Sequence, residues 1–516
     1  MGSGRRTYSH AALLTVLEEL DLGASVAEQD NLLENARVET SAFSELLNDK
    51  VDLITGTKGS GKSALYRIVV DFLPDYLLAH RKVVVAHGVQ RTGDSVFHAF
   101  TNAFDKMTED DFVDFWCVYF VSLARDHFVR GSRYQHDLAQ CAGEVARFNA
   151  ACRRARIPAF EGQPSLRSVI SWAIDVVRQW SPKLKYRPPG DAGEFEVDLF
   201  GGVPEGANSR ASKQGESLPR YVEEVRASLE PVLTRADLSL WLMVDRLDEL
   251  FLRRSPTETR ALRGLLRTLR IFTSPVIRIK VFLRDDIFAQ VTKENGFAGL
   301  THVTARQADP LRWSEDQILT MVTMRLFANK HLAGTLGIES ARLEASEAYR
   351  REAFYMVFPE KVVPRANQSA TLRWIYNHAK DGNGVVTPRD VILLLTRAKQ
   401  HQFDICSADS SGRSDYVIGP AAIRYGLAEL SQTKTEKYLL AEFPAIRDAI
   451  DKLRGGKAEL SERHLQGLFG VAWKATTEEL ISAGVLAVER AGDGTASYKI
   501  PFVYRAGLGV TQGTVR

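Results

Sequence analysis

Eight consecutive residues, Gly56-Thr57-Lys58-Gly59-Ser60-Gly61-Lys62-Ser63, match the spacing G-x-x-x-x-G-K-[ST]. That spacing suits a phosphate grip. Glycines at 59 and 61 let backbone N–H groups turn inward around phosphate oxygens, and a helix starting there adds partial positive charge. Lys62 would reach the β- and γ-phosphates of a nucleotide, and the Ser63 hydroxyl would sit on the Mg²⁺ that bridges them. The alternative is a glycine-rich strand-to-helix turn with a chance lysine. It does not account for the two flanks, an apolar strand at Leu53 and Ile54 and a helix over Ala64 to Val70.

A phosphate grip of this kind needs an acid at the end of a neighbouring strand to hold the Mg²⁺ water shell. Asp245, directly after the apolar run Leu240 to Val244, is assigned that Walker B role, with a simple strand cap as the alternative. The next position, where a water-activating carboxylate is expected, holds Arg246. Asp248 and Glu249 are the available acids, and either would orient an attacking water. Asp248 would equally serve to cap the following helix. Hydrolysis is therefore expected, at the slow rate that suits a switch.

Two arginines extend the site. Arg284 ends the apolar run of VIRIKVFLRDD, where it would stand beside a γ-phosphate or pair with Asp285 or Asp286. In VVTPRDVILLL, Thr387 is the expected N-cap, Pro388 the first helical residue and Arg389 the second. A cation opposes the macrodipole there, so Arg389 is a candidate nucleotide sensor from a lid, or else a surface arginine.

The elements that must carry these residues are strands alternating with helices. Val51–Thr55, Lys82–Ala86, Leu238–Asp245, Val276–Leu283 and His302–Thr304 read as buried strands, which makes an α/β parallel sheet of the P-loop NTPase type. Residues 1–50 are a helical segment, clearest from Ala11 to Leu20. The core spans 51–310 and carries a helical insertion over 105–220. Thr108 caps the insertion's aromatic helix (Phe112, Phe115, Trp116, Tyr119, Phe120 and Leu123), and Arg187 to Pro219 reads as an exposed connection around a short hairpin. An all-helical lid follows over 311–405, then the Gly/Ser-rich break SADSSGRSD. A winged helix over 420–510 ends the series, its wing running from Val485–Arg490 through a turn to Thr495–Ile500.

The quoted stretches together carry a resemblance. GTKGSGKS, LMVDRLDEL, the strand ending in FLRDD and ADPLRWSEDQI ahead of a helical lid resemble the bacterial P-loop ATPases related to the STAND and KAP groups. LRWSEDQI is similar to the way STAND proteins open their lid, and the resemblance implies that Arg284 reads the γ-phosphate. It also implies a role in conflict or anti-phage defence. Origin-recognition-type AAA+ proteins share the order ATPase, lid, winged helix. Ring-forming AAA+ proteins usually carry an arginine finger after the sensor strand, whereas Asp285 to Thr301 holds only Lys293. That departure argues against a ring of that kind.

Composition narrows the partners. Over 516 residues the formal charge is +3, with 45% hydrophobic and 25% charged residues, so no global attraction to nucleic acid or membrane follows. Four cysteines without C-x-x-C pairing, and no membrane-length apolar run, suit a reducing cytoplasm. Lys434 to Arg505 holds eleven Lys/Arg against ten Asp/Glu, and Glu478 and Glu479 open the helix before the wing. DNA affinity rests on phosphate neutralisation, so a protein partner or effector is favoured over nucleic acid. Arg260, Arg263, Arg267 and Arg270 share one helix face, read as solvated or, alternatively, as a patch for phosphates or an acidic partner. The expectation is an ATP- and Mg²⁺-dependent molecular switch. A DNA-binding AAA+ initiator or loader and a nucleotide-binding scaffold without turnover are the alternatives.

Overall fold

In the computed structural model the apolar runs form β1 (Leu53–Gly56), β2 (Val83–His87), β3 (Ser239–Val244) and β4 (Ile277–Arg284), in the sheet order β1-β4-β3-β2. The structure describes residues 8, 10–34, 36, 38–72, 82–87, 104–130, 134–155, 157, 173–175, 218–247, 255–272, 274–293, 297, 300–408, 414–490 and 496–515. β2 pairs with β3 and β3 with β4 in parallel, Val85 lying opposite Trp241 and Leu242 opposite Ile279. Parallel strands covered on both faces read as unbroken apolar runs. Leu240 to Val244 and Val281 to Leu283 are accordingly buried throughout.

The fifth expected strand is absent at its expected place. His302–Thr304 closes a short helix, Leu300–Thr304, of which only Val303 is buried. Its β-branched residues bond along the helix instead: the Thr304 hydroxyl donates to the Leu300 carbonyl at 3.0 Å. The following stretch runs beside β1. Leu53 bridges Gln307 and Gly56 bridges Leu311, both in parallel, and the Ala308 N–H donates to the Leu53 carbonyl at 2.9 Å.

Two compact units result: Glu45–Thr55 with Val69–Asp309, and Met1–Ser44 with Gly56–Ile68 and Pro310–Arg516. In the first, Thr108 caps the helix Glu109–Arg130 as expected, its Oγ1 accepting from the Asp111 N–H at 3.2 Å. Phe112, Phe115, Trp116 and Phe120 are fully buried, and the Trp116 indole N–H donates to the Ala261 carbonyl at 2.8 Å. The expected connection Arg187 to Pro219 lies outside the described residues except for Leu218 and Pro219, which open the helix Leu218–Arg235.

The arginine face is neither a solvated stripe nor a free patch. On the helix Pro256–Ile271, Arg260 donates to the carbonyls of Asp105 (3.1 Å) and Met107 (3.0 Å), and Arg263 to that of Val291 (2.9 Å). Arg267 pairs with Glu109 (3.0 Å) and Asp110 (2.8 Å), the two acids that open the helix Glu109–Arg130. Of the four only Arg270 is exposed. In the same unit the fully buried Lys280 on β4 donates to Asp49 (2.6 Å), Asp52 (2.8 Å) and the Val51 carbonyl (2.7 Å), while Arg306 donates to Asp52 at 2.6 Å.

The second unit is helical until its end. Ser314 and Gln317 form a reciprocal capping box that starts the helix Glu315–Ala328, and Arg325 of that helix forms a buried two-point pair with Asp30. Thr371–Ala379, Pro388–Ala408 and Pro420–Thr433 are further helices of the unit. The chain then forms β5 (Lys457–Ser461), the helices Glu462–Phe469 and Trp473–Ser482, the hairpin β6 (Ala487–Arg490) and β7 (Ala496–Lys499), the helix Phe502–Leu508 and β8 (Thr511–Val515). Its sheet runs β6-β7-β5-β8, with Tyr498 of β7 opposite both Leu460 and Val488. His378 is stacked between Trp374 at 3.9 Å and Phe502 at 4.1 Å, tying Thr371–Ala379 to Phe502–Leu508. Among the described residues no helix is long and apolar enough to cross a membrane.

Candidate functional site

The glycine-rich loop takes the shape its glycines permit. Gly59 (φ +82°) and Gly61 (φ +100°) are both in the left-handed region, and Gly61 is the N-cap of the helix Lys62–Arg67. A Cβ on Gly59 would lie 3.1 Å from the Arg389 Cβ and 3.2 Å from the Thr387 Oγ1, so the loop lies directly against the start of the helix Pro388–Ala408. Lys62 is buried and donates from Nζ to the carbonyls of Gly56 (2.8 Å) and Thr57 (2.9 Å), which sets its ammonium inside the loop's curve. Ser63 follows as the second residue of the helix.

The lid end of the site is built as the sequence suggests. Thr387 Oγ1 accepts from the Asp390 N–H at 3.2 Å, Pro388 is the first helical residue, and Arg389 is half-buried beside the loop. Arg389 Nε donates to the Ser25 carbonyl at 3.2 Å, and its guanidinium lies 5.8 Å from the Tyr438 ring centre. Arg67 of the loop helix donates to the Ala27 carbonyl, and Arg325 to that of Leu22 at 2.8 Å. Three arginines from three elements thereby hold the segment Leu22–Asp30 by its backbone and one carboxylate.

Several of these partners were not legible in the sequence. Trp313 donates its indole N–H to the Ser60 carbonyl at 2.7 Å, and its own carbonyl accepts from the Tyr376 hydroxyl at 2.9 Å. Its position just before the Ser314 capping box is the one signal that marks it. Tyr438 and Glu442 carry no such signal. Lys58, counted only as a loop residue, pairs with Glu442 at 2.5 Å. Lys434 Nζ is 2.5 Å from Asp390 Oδ2; burial alone would lower the Lys434 pKa, but Asp390, with Tyr504 and Asp381, holds it above the ordinary lysine value.

In the sheet-bearing unit, Asp245 follows β3 directly and is 7% exposed, so its carboxylate is withdrawn from bulk water. Arg246 after it has φ +57°, a left-handed conformation costly for a side-chain-bearing residue. Asp248 and Glu249 lie outside the described residues, and the described helix that follows is capped by Ser255, whose Oγ accepts from the Glu258 N–H at 3.1 Å. Arg284 is the last residue of β4, one strand from Asp245, and forms a two-point pair with Asp286. In open parallel sheets ligands gather beyond the carboxyl ends of the strands, where Arg284 and Asp245 both stand.

The residues fit a phosphate-rich ligand. Thr57 Oγ1 and Ser60 Oγ are buried within the loop without a hydrogen-bond partner among the described residues, and buried hydroxyls ordinarily have one. With the loop's turned backbone and Lys62 they form a donor set for anionic oxygens, and the Ser63 hydroxyl is an oxygen ligand of the kind Mg²⁺ takes.

The fold is thus an α/β P-loop fold with helical parts. No protein-family model and no curated protein matches this chain. Among solved structures it is similar to that of the Aeropyrum pernix ORC2 protein (ADPNP-ADP complexes), at 12% identity and a TM-score of 0.40, over 91% of each chain. A likeness at that level adds nothing to what the residues of the site themselves support.

Proposed function

We propose that this chain binds ATP with Mg²⁺ and works as a slowly hydrolysing molecular switch that controls a protein partner. The observation that carries the reading is the loop itself: positive-φ glycines, an inward lysine and two buried hydroxyls without a partner among the described residues, with the N-terminus of Pro388–Ala408 packed on it. In this reading the loop N–H groups and Lys62 hold the phosphates, Ser63 and Asp245 hold Mg²⁺, and Asp248 or Glu249 orients water. Arg284 and Arg389 act as sensors. Bound Mg²⁺ would neutralise charge on the phosphates.

The test is direct titration with ATP. Lys62→Ala removes a charge-assisted contact worth about 1.5–3 kcal/mol, so affinity should fall roughly 10- to 150-fold; unchanged affinity would remove the site assignment. Phosphate release by Asp248→Ala and Glu249→Ala separates a hydrolysing switch from a scaffold. Relation to the STAND and KAP groups, and with it a defence role, rests on the resemblance alone.

A second reading, a DNA-binding initiator or loader, is favoured by one feature. The helix–strand–helix–helix–hairpin order after residue 446 supports reading this part as a winged helix. The exposed Glu478 and Glu479 on Trp473–Ser482 oppose duplex binding. Duplex titration at several salt concentrations decides: an initiator shows a steep log–log slope that disappears when residues from Lys434 onward are removed.

A further inference from the structure

The C-terminal chain meets the phosphate loop and the start of the helix Pro388–Ala408 through three side chains at equal spacing. Lys434, Tyr438 and Glu442 are four residues apart on a helical stretch whose first part, Lys434–Leu439, is wound i→i+5. Residues four apart lie on one side of a helix. The three act on one face: Lys434 holds Asp390, Tyr438 lies beside Arg389, and Glu442 pairs with Lys58. Two of their partners are adjacent residues in the first turn of the lid helix, and the third belongs to the loop.

The two ends of this stripe differ. Lys434 and Asp390 have side chains 13% and 5% exposed, and their pair is anchored further by Tyr504, whose ring centre is 5.7 Å from the ammonium. At the other end Glu442 is equally enclosed but Lys58 is 36% exposed. Exposure weakens an ion pair, so the stripe is fixed at Lys434 and labile at Lys58. Turned amides and lysines favour anions in general, so a carboxylate at the rim of the loop competes there with phosphate.

We propose that residues 434–442 are a latch through which the C-terminal region senses what occupies the phosphate loop, Glu442 serving as the anion for Lys58 until phosphates compete for it. The proposal rests on the ATP reading above. Binding of ATP and closure of the latch then oppose one another, and linkage makes the effect reciprocal: whatever factor ATP takes from the latch, the latch takes from ATP. The Glu442 end leads through Phe443 into the helix Arg447–Leu453 and on to β5, so the chain runs on directly from the latch to the hairpin sheet.

The experiment compares wild type, Glu442→Gln, Lys58→Ala and Lys62→Ala by ATP titration and by amide hydrogen exchange over 434–442. Expected are ATP binding about fivefold tighter or more in Glu442→Gln, and exchange over 434–442 in wild type that speeds up when ATP is added. Without ATP, exchange there should already be fast in Glu442→Gln and in Lys58→Ala, the latter serving if the former does not fold. ATP binding by wild type and its loss in Lys62→Ala, with affinity and exchange unchanged by Glu442→Gln, would overturn the latch and leave the ATP reading standing. No ATP binding by wild type would overturn both.

Discussion

Arg284 and Asp286 face each other in a two-point pair, Nε donating to Oδ1 at 2.9 Å and Nη2 to Oδ2 at 2.8 Å. The pair joins the last residue of β4 to the first turn of the helix Asp285–Lys293 and fixes the plane of the guanidinium. Lysine keeps the charge but loses the fork. Arg284→Lys should therefore lower steady-state phosphate release about a hundredfold if the guanidinium stabilises the transferring phosphate, with ATP affinity nearly unchanged. Full activity in that variant would leave Arg284 with a structural task only.

Gly59→Ala introduces a side chain where φ is +82°, at a cost of about 1–2 kcal/mol. The new methyl also meets Arg389 and Thr387. A lowered Tm and weaker ATP binding are expected together, read from thermal melts with and without ATP. A normal melt would mean that the loop is not pressed against Pro388–Ala408.

Lys280→Met leaves Asp49 and Asp52 without their most enclosed cation. Removing one partner of a buried pair costs about 3–5 kcal/mol, and Arg306, which still bonds Asp52, should hold the loss toward the lower figure. Denaturant titration measures it. A neutral outcome would mean that Arg306, together with Arg278, whose Nε lies 3.7 Å from Asp49, satisfies both carboxylates unaided.

His378 sets an acid limit. Burial first, and Arg505 to a lesser degree, lower its pKa from 6.5 to about 4 against a raising hydrogen bond to Trp374. The unfolded imidazole thus binds a proton more readily than the folded one between those values, so its contribution to stability is complete above pH 6.5 and declines as pH falls towards 4. Stability against urea at pH 7 and at pH 5 should differ more in wild type than in His378→Phe. Equal differences would assign the acid sensitivity to other groups.

The sequence was most readable where composition and position coincide. Gly59 and Gly61 announce the loop because few other residues tolerate those backbone angles, and Lys62 because a cation directly after them suits phosphate. Thr387-Pro388 and Thr108 announce helix starts because a side-chain oxygen and a fixed φ suit only that place. His302–Thr304 misled because three residues cannot separate a period of two from one of 3.6; a single inward Val303 serves either. The arginine face misled because spacing gives the face but not its neighbours, which lie at Asp105 to Asp110 and Val291. Glu442 and Tyr438 were invisible for the same reason: their meaning depends on Lys58 and Arg389, far away in the chain.

The grouping of Gly56–Ile68 with Pro310–Arg516, apart from the strand that leads into it, bears on how this protein can be taken apart. A fragment ending at Asp309 would keep β1 to β4 yet deprive the loop of Trp313, Thr387 and Arg389, the side chains its backbone rests on. Chimeras that exchange the first 309 residues for those of another ATPase would inherit a loop fitted to a foreign lid. The heritable module is therefore the loop together with its lid, and a graft that respects it must carry both pieces across the same junctions.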